Sequence, residues 1–126
     1  VADDDVLGLL TRYRTVLVEM HAQSIETGGT PRKWNRLVDR MQRLHLELRD
    51  TPSGRAGITD LALNGENDTV RGWSATNALA WDPEIVRPVL EARALDPLGL
   101  GGLEAEIVLR EYDAGRLNTM WVPKRA

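Results

Sequence analysis

The stretch VRGWSATNALAWDPEIVRPVLE, Val70–Glu91, decides the fold. Its Asp82-Pro83 dipeptide pairs an N-cap residue with a proline at the first helical position, where a missing amide costs nothing. A helix is therefore predicted on each side, with almost no loop at the corner. Before the corner, Val70, Trp73, Asn77 and Trp81 recur at helical spacing on one side, and Ala75, Ala78 and Leu79 on another. After it, Ile85, Val86, Val89 and Leu90 are expected to face inward, with Glu84, Arg87 and Glu91 outward. Pro88 lies beyond the first turn, so it should remove one internal hydrogen bond and bend the helix.

Working outward, the same signal recurs at Thr30-Pro31, Thr51-Pro52 and Asp96-Pro97. Repeated cap–proline pairs predict short helices joined by tight turns, and no alternating apolar–polar run competes as a strand. The first helix is expected over about Asp3 to Thr27. Asp3, Asp4 and Asp5 sit at its positive dipole end, and Gly28-Gly29 stops it. The second follows Thr30, with Trp34, Leu37, Val38, Met41, Leu44 and Leu48 on one side. A third begins near Thr51–Ser53 and carries Ile58, Leu61 and Ala62. The fourth is capped by Asp68 and continues through Trp81. The last runs from about Leu103 to Asp113, with one apolar stripe of Ala105, Val108, Leu109 and Tyr112 and a second of Leu103 and Ile107. A helix apolar on two sides is expected to touch two neighbours. The tail, about 116–126, reads as extended, with Trp121 as an anchor.

The fold class that follows is all-α: about six helices in three antiparallel hairpins, forming one domain over residues 1–126. A chain of 126 residues can bury a core without metal or disulfide staples. It has no cysteine, which removes disulfides and thiolate metal sites and suits a reducing, cytoplasmic setting. No apolar run approaches the roughly 20 residues of a membrane span, and the acidic start VADDDVLGLL does not read as a secretory leader. The net charge of −3 weighs against wrapping nucleic acid, which needs a basic face.

The quoted stretch resembles a HEAT-like repeat. It has a Val-Arg opening, an alanine-rich first helix, an Asp-Pro corner and a second helix ending in Val-Leu-Glu. With WNRLVDRMQRLHLELRD, DTVRGWSATNALAWDPEIVRPVLEARA and the final short helix, the chain also resembles an uncharacterised bacterial family of small HEAT-like helical-repeat proteins, over roughly Pro31 to Asp113. Trp73, Trp81 and the mid-helix Gly72 depart from a generic repeat. The resemblance implies a short HEAT/ARM-like α-solenoid and, by analogy, a binding role. It carries no active site with it.

Chemistry is sparse. His21 and His45 lack metal-ligand spacing, and His45 falls at the seam of the second helix. Ser24, Ser53 and Ser74 lack a nucleophile-elbow context. The GLGG run near Gly102 follows no strand and lacks the phosphate-loop pattern. Glu104 and Glu111 share a face about 10 Å apart by helix rise; a solvated face is the default reading, since an acid–base pair would need a pocket. No catalytic residue, metal or cofactor is expected. The basic stripe Arg32, Arg36, Arg40 and Arg43 suits an acidic partner. The default reading is a solvated charged face in which Arg36 pairs with Asp39 and Arg43 with Glu47, ahead of an acidic protein partner and then of nucleic acid. Either Trp73 and Trp81 are core and Asn77 is a satisfied buried amide, or the Trp–Asn side lines a groove. The candidate partner-binding residues are Arg36, Arg40, Arg43, Arg71, Trp73, Asn77, Glu104 and Glu111. The expected role is a non-catalytic protein-binding module, such as an immunity protein that neutralises a toxin. The alternative is a HEAT-like nucleic-acid-binding or base-glycosylase-like repair protein.

Overall fold

A computed structural model describes residues 3–25, 30–96 and 101–123. Six α-helices follow in chain order: α1 (Asp3–Ile25), α2 (Pro31–Leu48), α3 (Pro52–Asn64), α4 (Asp68–Ala78), α5 (Pro83–Leu95) and α6 (Gly102–Asp113). There is no strand among the described residues. The expected stop at Gly28-Gly29, Pro97 and the last three residues of the tail lie outside them.

The caps explain most boundaries. Thr30 Oγ1 accepts from the Lys33 amide and Thr51 Oγ1 from the Gly54 amide, and in both helices proline takes the first position. Asn67, not Asp68, caps α4, accepting from the Val70 amide at 2.9 Å. Asp82 places Pro83 at the start of α5 but makes no side-chain cap. Its carboxylate instead accepts from Thr59 Oγ1 at 2.8 Å, and that same hydroxyl accepts from Trp81 Nε1 at 3.0 Å. The corner is thus tied sideways to α3, and α4 gives way to a turn over 79–81 before Trp81 is reached. Asp96 is the C-cap of α5, and the start expected after it at Pro97 lies outside the described residues. Gly115, at φ +71°, closes α6. The Arg116 amide reaches back to the Glu111 carbonyl and the Gly115 amide to that of Tyr112, a Schellman closure that needs a left-handed residue.

Chain neighbours pack as pairs, α1 on α2, α3 on α4 and α5 on α6, and α1 and α5 both pack on α3. The short α4 also touches α1 and α5, and is buried almost all round, at Val70, Gly72, Ser74, Ala75, Asn77, Ala78 and the following Leu79. Small residues let neighbouring helices approach it on several sides. Gly72 is one cause: a Cβ there would fall 2.8 Å from the Arg93 guanidinium carbon. Tyr13, Leu17 and Met20 of α1, Met41 and Leu48 of α2, and Ile58 of α3 complete the core.

Three expected faces differ. Ile85 is 45% exposed, because α5 buries only Val86 and Leu90 fully. The second stripe of α6 is left exposed among the described residues: Leu103 is 66% and Ile107 42% exposed. The helix is held instead through its first stripe and by Arg87, which grips the Asp113 carboxylate with both terminal nitrogens at 2.8 and 2.9 Å. On α2, neither Arg36 with Asp39 nor Arg43 with Glu47 forms an ion pair among the described residues.

Candidate functional site

A groove of about 580 Å³ opens between α1, α2, α4, α5 and α6. One face of α4 lines it with Asp68, Thr69, Gly72, Trp73 and Thr76, spaced alternately by one and three residues as a helix face must be. Trp34 enters from α2, Leu90 and Arg93 from α5, and Glu104, Ala105, Ile107 and Val108 from α6. The lining is mostly apolar, and its α4 hydroxyls are satisfied internally. Thr76 Oγ1 donates to the Gly72 carbonyl at 2.9 Å. Thr69 Oγ1 meets His21 Nδ1 at 2.9 Å, joining the last turns of α1 to the first turn of α4. That contact is a nucleophile–base distance, but its residues stand at a seam between two helices. Arg93 lies over Gly72, donates to the Asp68 carbonyl and separates the groove from a smaller cavity of about 300 Å³.

The candidate residues scatter. Trp73 is half-buried and lines the groove, and Glu104 is exposed at its edge. Arg36, Arg40 and Arg43 are exposed along α2. Arg71 is engaged at the start of α4, donating to the Gly65 carbonyl at 2.7 Å and to the Asp68 carboxylate at 2.5 Å. Glu111 accepts from Arg116 at 2.6 Å. Asn77 is in the core: its Nδ2 donates to the Tyr13 hydroxyl at 3.0 Å and approaches Met41 Sδ at 3.6 Å. Tyr13 Oη lies 3.3 Å from Ser74 Oγ. Burial pushes that phenol up to about 12, against the pull of its two hydrogen bonds, so it stays protonated.

His45 sits in a second polar network. Arg49 donates to its Nε2 at 3.2 Å, so Nδ1 carries the proton and donates to Gln42 Oε1 at 3.0 Å. Gln42 Nε2 then donates to the carbonyls of Thr119 and Trp121, both at 2.8 Å, and Arg49 reaches Thr119 Oγ1. The extended tail is therefore anchored through its backbone. Burial, with the Arg49 charge adding to it, lowers the His45 pKa to about 4, so the imidazole is neutral near pH 7. Arg49 also lies 5.3 Å over the Trp81 ring. Trp81 thus belongs to this structural cluster and Trp73 to the groove.

Among the described residues, no three His, Asp or Glu side chains gather as metal ligands would, and no helix is long and apolar enough to cross a membrane. No protein-family model, curated protein or solved structure matches the chain.

Trp34, Arg93, Ile107 and Val108 were not among the sequence candidates for this site. Trp34 shares a stripe with core residues, so only its position near the start of α2 separates it from them. The unpartnered stripe of α6 and the glycine within α4 were the readable signals.

Proposed function

We propose that this chain is a non-catalytic protein-binding module whose docking surface is the groove beside Trp73. One observation carries the reading: an open, largely apolar recess lined by two indoles. Tryptophan buries a large area with few rotors and dominates many binding hot spots. The hydroxyls lining the recess are satisfied internally, so shape and apolar area are what it offers a partner.

The wider reading is a short HEAT/ARM-like array of three hairpins in a bacterial, cytoplasmic protein. The stacking of α1 and α5 on α3 supports it. An immunity protein that neutralises a basic toxin fits the size and the net charge of −3, since opposite charge steers such encounters. The test is capture of partners from the native cell by the full chain and by Trp73→Ala. Loss of a specific partner from a variant that still folds is the expected result; equal capture removes the groove from the account.

A second reading, binding to nucleic acid, draws on Arg36, Arg40 and Arg43, which are exposed and form no ion pair among the described residues. It predicts retention on DNA at low salt that falls steeply as salt rises. Absence of retention at low salt removes it.

A further inference from the structure

The chemistry of what docks follows from charge, and this step rests on the docking reading above. At the α4–α5 end of the groove stand the carboxylates of Asp68 and Asp96 and the guanidinium of Arg93, and Arg71 pairs with Asp68 from the side of the smaller cavity, so these charges match in number. Arg93 is already held by the Asp68 carbonyl. Glu104 on α6 is different. It lines the same groove, is exposed, and forms neither an ion pair nor a hydrogen bond among the described residues. A carboxylate with no counter-ion among the described residues thus stands at the edge of a recess lined by Trp34 and Trp73. Indole faces also attract cations through the ring quadrupole.

We infer that the groove receives a lysine or arginine side chain carried on an apolar segment of the partner protein. The aliphatic stem lies along the indoles and the charged end faces Glu104. An anionic side chain in the same place meets the Glu104 carboxylate and is rejected. The arrangement selects a basic segment in the same sense as the net charge of −3.

Three capped tripeptides test this on the full chain: leucine–lysine–leucine, leucine–glutamine–leucine and leucine–glutamate–leucine. Binding is followed by NMR through the indole N–H signals of the four tryptophans. The lysine peptide is expected to shift the signals of Trp34 and Trp73 and leave those of Trp81 and Trp121 in place. It should bind about 3- to 10-fold more tightly than the glutamine peptide, the range of an exposed ion pair with a cation–π contact, and the glutamate peptide should bind most weakly. Glu104→Gln, at an exposed position that does not threaten the fold, should weaken the lysine peptide about 2- to 5-fold and leave the glutamine peptide unchanged. Equal binding of the lysine and glutamate peptides overturns the charge selection, as does the absence of any shift at Trp34 and Trp73. Neither result touches the docking reading, which fails separately if Trp73→Ala captures the same partners as the parent chain.

Discussion

At the scale of single residues, buried polar groups set the sharpest expectations. Tyr13→Phe removes the oxygen that accepts from Asn77, leaving a buried amide N–H short of a partner. The expected cost is about 1–3 kcal/mol in urea unfolding, and a change within about 0.5 kcal/mol would mean that Asn77 finds another acceptor. His45 makes a pH prediction. Its pKa is about 4 when folded and near 6.5 when unfolded. As pH falls below 6.5, the unfolded chain takes up a proton that the folded state refuses, so stability drops until about pH 4. The slope from this one group is at most ~1.4 kcal/mol per pH unit. Urea midpoints measured from pH 7 to pH 4 should therefore fall more steeply for the parent than for His45→Gln, and parallel profiles would remove the assignment. Sequence placed His45 at a helix seam but offered no sign of the Gln42–tail contacts that hold it, because those partners are over 70 residues apart.

At the scale of elements, α4 is the hub, and its composition shows why. A helix carrying Gly72, Ser74, Ala75 and Ala78 on buried positions is a poor amphipath and a good spacer. Gly72→Ala should displace the Arg93 guanidinium, since the end of a flexible side chain is what the new methyl group meets. Modest destabilisation with a changed environment at Trp73 fluorescence is expected; loss of folding would mean that the neighbouring backbone, not Arg93, is the obstacle. Helix order and the starts of α2, α3 and α5 were legible from cap–proline pairs, because that signal is local. Faces were less legible. Val70 and Asn77 share a stripe with Trp73, yet the first two are buried and Trp73 lines the groove. A helix with several neighbours has no single inner face for periodicity to report. The cap at Asp82 failed for a tertiary reason, since Thr59 claims its carboxylate.

At the scale of the whole molecule, packing leaves α6 covered on one stripe and bare on the other, and the bare stripe borders the groove. The tail, crossing to α2 through Gln42, braces the far side of the α2 seam. Gln42→Ala should free residues 119–121, visible as faster amide exchange in that segment, while the groove tryptophans stay unchanged. Spread of the change to Trp73 would show that the Gln42–tail network and the groove are coupled. The account turns on Trp34 and Trp73 lining an open docking groove. Hydroxyl-radical footprinting of the free chain and of its complex with a captured partner tests this most directly. The account predicts oxidation of both side chains in the free chain and shielding of both in the complex, with Trp81 and Trp121 unchanged. Trp73 protected in the free chain, or oxidised equally in the complex, would contradict it.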